Sequence, residues 1–265
     1  MTVPAIGEAV APFPLPYSLH GSGPHKIIAV HGWLADRADY AATLPDLDRE
    51  SFTYVFVDLR GYGEARATAG QYSTAEGAAD IVALADGLGW QTFSLIGHSM
   101  GASVAQRVLA VSPERVRRLV GVSPVPACGL KMPPEQWELF ASAAEKPENR
   151  RLIIDLTTGS RRPAAWLDRM VYRSQTRTDP KAFRAWLDSW ACEDFRTKVE
   201  GVRTPALAVT GALDPAITAA LMRQTWMRCY PEAELAELDC AGHHAMDETP
   251  LQLVRTVEDF LRADG

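Results

Sequence analysis

Gly97-His98-Ser99-Met100-Gly101 is a G-x-S-x-G sequence. It stands between a short apolar run, residues 93–96, and a stretch of helical pattern, residues 99–111. A serine on a sharp strand-to-helix turn is held in strained backbone geometry, with its hydroxyl projecting above the sheet. Crowding two positions before and after it demands small side chains, and Gly97 and Gly101 meet that demand. The chemistry is nucleophilic attack, and a serine hydroxyl needs a base for it. Six histidines are available: His20, His25, His31, His98, His243 and His244. The base belongs on a loop at the carboxyl ends of the strands. His20 and His25 flank an early hairpin at the other end. His98 reads as a packing and hydrogen-bonding residue whose side chain points away. His243 and His244 follow the last apolar run through Ala241-Gly242. Gly242 immediately before it favours His243 as the base, with His244 lining the entrance.

A carboxylate must fix the tautomer of that base and stabilise the imidazolium. Asp214, in Thr210-Gly211-Ala212-Leu213-Asp214-Pro215, gives the chain order Ser99, Asp214, His243 that goes with G-x-S-x-G. The same Asp-Pro pair also suits the start of a following helix. Asp239 and Asp247 are nearer in sequence to His243, but at a strand end and in the next helix. Two N–H donors must face the developing oxyanion. Met100, after the nucleophile, supplies one. Trp33 supplies the other, with Leu34 as the alternative, because Gly32 lets the backbone approach closely. His31, Trp137, Trp166, Trp186, Trp190 and His244 are the candidate walls of a substrate pocket.

The elements around these residues alternate. His25–Val30, residues 52–59, 93–96, 118–122 and 205–210, and Ala233–Leu238 are short apolar runs that read as strands. Helical spacing covers residues 73–88, with Ser73 or Thr74 as N-cap and Gly89 as the stop. Residues 37–47 also read as helical, with a break at Pro45. Near-continuous apolar strands separated by helices imply a parallel sheet covered on both faces. Tyr17–His20, the turn Gly21-Ser22-Gly23-Pro24 and the next strand predict a hairpin, hence an antiparallel edge. The alternation stops over residues 125–200, which are helical, rich in Trp and Arg, and too long for a loop. The division expected is a core of residues 1–124 and 201–265 with a helical cap of residues 125–200. Four of the seven Trp (Trp137, Trp166, Trp186, Trp190) fall in that cap. Trp186 and Trp190 are four apart and share a helix face. Arg150-Arg151 and Arg161-Arg162 read as solvated helix faces.

The chain has 265 residues, 47% hydrophobic and 23% charged, which excludes a disordered polymer. A net charge of −6 argues against a phosphate-backbone binder. No basic-then-apolar leader opens the sequence, and no apolar run approaches the length of a membrane span. Cys128, Cys192, Cys229 and Cys240 form no CxxC pair, so a zinc ligand set of that kind is absent and reduced, buried thiols in a cytoplasmic protein are expected. Neither metal nor cofactor is called for; the expected partner is a small-molecule substrate, and the chain a monomer or homodimer.

His31-Gly32-Trp33, Asp58-Leu59-Arg60-Gly61-Tyr62-Gly63, Gly97-His98-Ser99-Met100-Gly101, Gly211-Ala212-Leu213-Asp214, and Gly242-His243 followed by Glu248-Thr249-Pro250 occur in this order. Together they make the chain resemble the α/β-hydrolase superfamily, within it the small capped serine esterases, C–C hydrolases and cofactor-free haloperoxidases. The resemblance implies an α/β-hydrolase fold: a mostly parallel twisted sheet, helices on both faces, and a helical cap inserted after the sixth core strand. It implies a triad of Ser99, Asp214 and His243, a hole from Trp33 and Met100, and no cofactor. Two positions depart from the group, Glu64 where Ser is usual and Ala102 where Gly is usual. The function expected is hydrolysis of a small, apolar carboxylic ester, a lactone, or a C–C bond next to a ketone. A cofactor-free oxidoreductase on the same fold is the alternative, but such dioxygenases place their acid after the sixth core strand, where Ser123-Pro124-Val125-Pro126 has none. A non-catalytic ligand-binding protein is the third reading.

Overall fold

Among the described residues seven strands make one sheet: β1 (Tyr17–His20), β2 (His25–Val30), β3 (Phe52–Val57), β4 (Phe93–His98), β5 (Val116–Val122), β6 (Ala206–Gly211) and β7 (Ala233–Leu238). The computed structural model describes residues 15–263, so the N-terminal residues read above for a leader lie outside it. The strand order is β1-β3-β2-β4-β5-β6-β7. Every pairing is parallel except β1 with β3. The expected hairpin between the first two strands is therefore not formed. Both edges of β2 are taken, by β3 and β4. The chain after β1 instead crosses beneath β3, and Gly21 and Gly23 allow it. A Cβ on Gly23 would lie 2.1 Å from the Ser51 carbonyl carbon, and Gly21 adopts φ +86°.

Alternation along the strands builds two cores. Ile28 and Val30 of β2 face one side, and Ile27 and Ala29 the other. The first side is covered by α1 (Thr74–Gly87) and α2 (Met100–Val111). Ser73 caps α1 by accepting from the Glu76 N–H at 3.2 Å, and Gly89 beyond its end has φ +70°. Residues 37–47, expected to be helical with a break at Pro45, form two short 3₁₀ turns with Pro45 in the second.

Between β5 and β6 the chain forms α3 (Pro134–Ser142), α4 (Pro147–Thr157), α5 (Ala164–Thr176) and α6 (Pro180–Cys192), and no strand. This segment follows the fifth of the seven strands described; the expectation of a sixth counts a strand these residues do not contain. After β6 come α7 (Ala219–Gln224) and α8 (Trp226–Cys229), and after β7 come α9 (Ala245–Glu248) and α10 (Pro250–Arg262). Leu253, Val257, Phe260 and Leu261 of α10 fill the second core. Arg150, read as solvated, is instead buried at 2% exposure: it donates to the Ala143 carbonyl and the Ser174 hydroxyl and stacks on Phe183. Cys192 and Cys240, expected buried, are exposed, and all four cysteines are free. Among the described residues no helix is long and apolar enough to cross a membrane.

Candidate active site

Ser99 sits between β4 and α2 with φ +50° and ψ −113°, a conformation L-residues rarely adopt. Its neighbours make the turn possible. A Cβ on Gly97 would lie 2.5 Å from the Ala102 backbone, and one on Gly101 would lie 2.4 Å from the Val30 carbonyl oxygen. The first of these contacts also leaves little room at Ala102, itself fully buried. Backbone bonds pin the turn: Ser99 N–H donates to the Val122 carbonyl at 2.9 Å, and its own carbonyl accepts from Ala102 and Val125. Met100 opens α2, where the first N–H groups have no intrahelical acceptor.

Loops after β6 and β7 bring Asp214 and His243 together. His243 Nδ1 lies 2.7 Å from Asp214 Oδ2. Asp214 Oδ1 accepts from the Ala216 and Ile217 N–H groups at 2.9 and 3.1 Å. The carboxylate thus organises the turn after β6, although the next helix is capped by Thr218. Burial pushes the Asp214 carboxyl up, but the His243 charge and these hydrogen bonds outweigh it and hold it below its ordinary value. Burial likewise disfavours the His243 imidazolium, but the Asp214 charge and hydrogen bond prevail and its pKa is raised. With Nδ1 engaged, Nε2 is the nitrogen left for the cavity.

The His243 loop is gripped from both directions. The buried Glu248 carboxylate accepts from the N–H groups of Gly242 and His244, each at 3.0 Å, one on either side of His243. It also pairs with Arg161 and Arg162 from the segment before α5. The His243 N–H donates to the Thr157 carbonyl at the end of α4, at 3.0 Å. Arg161-Arg162, read as a solvated face, is therefore a tie between the inserted helices and this loop.

A cavity of about 350 Å³ opens onto Ser99, His98, His243 and His244. Leu130, Met132, Phe140, Ile153, Trp190 and Ile217 give it apolar walls. Exposed Lys131 and Gln136 border it, and no carboxylate is among the described residues that line it. Trp33 and Leu34 line it too. The Trp33 indole N–H donates to the Phe183 carbonyl at 2.7 Å, and its ring stacks 3.9 Å from that of Phe183. The Trp33 backbone is thereby fixed against the inserted helices.

Of the wall candidates, Trp190 and His244 line the cavity and four do not. His31 is fully buried, its ring held between the Gly32 carbonyl at 2.8 Å and the Leu59 N–H at 3.2 Å. Trp186 is fully buried and donates to the Arg60 carbonyl at 3.0 Å, fastening α6 to the core. Trp166 turns to Asp247, donating at 2.5 Å, and Trp137 lies under Arg184. Of the four tryptophans in this segment, one lines the cavity and three pack elsewhere. His98, expected to point away, lies at the cavity wall; its Nε2 is 2.9 Å from the His243 carbonyl oxygen and its Nδ1 3.3 Å from Asp39. Sequence reading missed Asp39, a buried acid facing two histidines, and the walls Met132, Phe140, Ile153 and Ile217. Glu64, the unusual residue, pairs with Arg37, which also binds Asp58 at 2.7 Å.

Residues 26–250 match the alpha/beta hydrolase fold family. The chain belongs to this family. It is 28% identical over 248 residues to a pimeloyl-[acyl-carrier protein] methyl ester esterase of Nitrosomonas europaea, covering 88% of this chain and 94% of that one. It is 28% identical over 239 residues to an N-formylmaleamate deformylase of Pseudomonas putida, covering 86% of this chain and 85% of the relative. In structure it is similar to an esterase from Exiguobacterium antarcticum, with a TM-score of 0.84 at 18% identity over 93% of this chain and 95% of that one. This α/β hydrolase is an enzyme of a hydrolytic family.

Proposed function

We propose that this α/β hydrolase is a serine hydrolase that cleaves a small, largely apolar carboxylic ester through an acyl-enzyme. The observation that carries the reading is the 2.7 Å contact of His243 Nδ1 with a buried Asp214, at a cavity that also receives the strained Ser99. Ser99 Oγ attacks the ester carbonyl carbon and passes its proton to His243 Nε2. The negative oxygen that forms faces the N–H groups of Trp33 and Met100. The tetrahedral centre collapses, the C–O bond to the alcohol breaks, and His243 returns the proton to the leaving oxygen. Water then attacks the acyl-enzyme with His243 again as base, releasing the acid and restoring Ser99. Asp214 stays ionised throughout and stabilises the imidazolium.

Apolar walls and the lack of a lining carboxylate among the described residues favour an apolar acyl group. The relative that acts on a methyl ester supports an ester as the bond. The test is turnover across p-nitrophenyl esters of increasing acyl length, with a lactone and a diketone beside them. Ester turnover should fall about 10⁴-fold or more in Ser99→Ala. A fluorophosphonate should label the parent enzyme at Ser99 alone. An unchanged rate in the variant, or labelling elsewhere, refutes the assignment.

A further inference from the structure

Beside the proposed nucleophile and base lies a second cluster that the mechanism does not use. Asp39, His98 and His244 each contribute a possible ligand atom, and the three atoms lie within 4.8 Å of one another. All three side chains are at least 98% buried. Among the described residues, both nitrogens of His244 and both oxygens of Asp39 have no hydrogen-bond partner. Buried polar atoms left in this state are costly, so the cluster calls for a partner.

The hydrogen bonding of His98 narrows what that partner is. A carbonyl oxygen only accepts, so His98 Nε2 carries a proton and donates it to His243 at 2.9 Å. In the neutral ring Nδ1 then holds a lone pair, and it faces Asp39 Oδ2 at 3.3 Å. Two acceptors face each other. The separation also differs from that of a charge-assisted hydrogen bond, which closes to about 2.7–2.9 Å. His243 and Asp214, a few ångströms away in the same site, do close to 2.7 Å. By contrast, two ligands on a tetrahedral Zn²⁺, each bonded at about 2.0–2.1 Å, stand about 3.3–3.4 Å apart.

We infer that Asp39, His98 and His244 form a binding site for a divalent transition-metal cation of the Zn²⁺ class. Two imidazoles and one carboxylate are the ligand types such ions prefer. The second shell is already in place, because a metal-bound histidine commonly donates its other N–H to a carbonyl, as His98 does. His98 and His244 line the cavity, which provides an entry path. Three protein ligands leave one coordination position for water or a substrate atom.

The experiment is a titration of chelator-stripped protein with Zn²⁺ against a chromophoric competitor, with Co²⁺ used in parallel for its spectrum. The expected result is one equivalent bound, with the visible absorption of tetrahedral Co²⁺ on nitrogen and oxygen ligands. His244→Phe, which keeps an aromatic ring among its neighbours, and the isosteric Asp39→Asn should each weaken binding by about 100-fold or more, since even outer partners cost about 10–100-fold. Circular dichroism verifies that both variants fold. No stoichiometric uptake, equal affinity in both folded variants, or a thiolate charge-transfer band assigning the ion to the four cysteines would each overturn the inference.

Discussion

Asp214→Asn should lower kcat for an ester by about 10⁴-fold while leaving the fold intact. The reason lies in the two oxygens of the carboxylate. Oδ1 accepts two backbone N–H groups, from Ala216 and Ile217, and Oδ2 accepts the hydrogen bond from the His243 Nδ1–H. An asparagine side chain has only one oxygen to offer. Turned toward His243, it would present its NH₂ to two N–H donors and leave both unsatisfied, at about 1–3 kcal/mol each. The return is one neutral hydrogen bond, worth about 0.5–1.5 kcal/mol. The oxygen therefore stays on Ala216 and Ile217, and the NH₂ group points at Nδ1. His243 must then accept at Nδ1 and carry its proton on Nε2, the tautomer that cannot take a proton from Ser99. In a serine protease the same tautomer error costs about 10⁴-fold in kcat, which is about 5.4 kcal/mol at 1.36 kcal/mol per decade. Steady-state kinetics on p-nitrophenyl butyrate, with a urea melt on the same preparation, measures both quantities. A loss below tenfold in a folded variant would refute the tautomer argument and with it the role of Asp214.

Four further outcomes are expected. Because Asp214 raises the His243 pKa above 6.5 and the base must be neutral, kcat/KM should climb with pH through a midpoint above 6.5; a midpoint below 6.5 contradicts this. For stability the sign is the opposite, since the pair stabilises the fold fully below 6.5 while Asp214 is ionised and the contribution is lost as pH rises through the raised His243 pKa, a loss that Asp214→Asn should remove from the urea profile. Trp190→Ala should shift the acyl-length preference, because Trp190 lines the cavity, whereas Trp186→Ala should cost about 3–5 kcal/mol of stability with the preference retained; a reversed pattern in the ester series and the urea melts would show that the two roles are misassigned. Oxygen-electrode traces with a hydroxyquinolone should stay flat; steady uptake would establish the oxidoreductase reading in place of the hydrolase.

What could be read from sequence was local or ordered along the chain. The turn at Ser99 is written in five consecutive residues, and the loops carrying Asp214 and His243 follow apolar strands whose ends are easy to locate. The hairpin reading failed because pairing is a property of the whole sheet: β2 had two better neighbours, and β1 was left to β3. The cavity walls were harder still. Which face of α3 or α4 looks inward depends on how four helices pack, and a count of tryptophans does not report it. Phe140 and Ile153 line the cavity, while the larger Trp137 and Trp186 do not. Asp39 was invisible for a related reason, since its partners come from the elbow and from the last loop. The pair Arg161-Arg162 looked solvated because its acid, Glu248, lies more than 80 residues further on.

That last contact bears on how separable the inserted helices are from the rest of the enzyme. Every residue assigned to proton transfer belongs to the sheet and its loops, which suggests a machine that would run with any cover. The Thr157 carbonyl and the two arginines say otherwise, for they hold the segment that carries the proposed base. Heating that merely undocks the helices should silence turnover while the sheet is still folded, so inactivation should precede melting. For the same reason, a cover transplanted from a relative must bring an acceptor for the His243 N–H and cations for Glu248. Without them the graft would supply new walls around a base that has lost its footing.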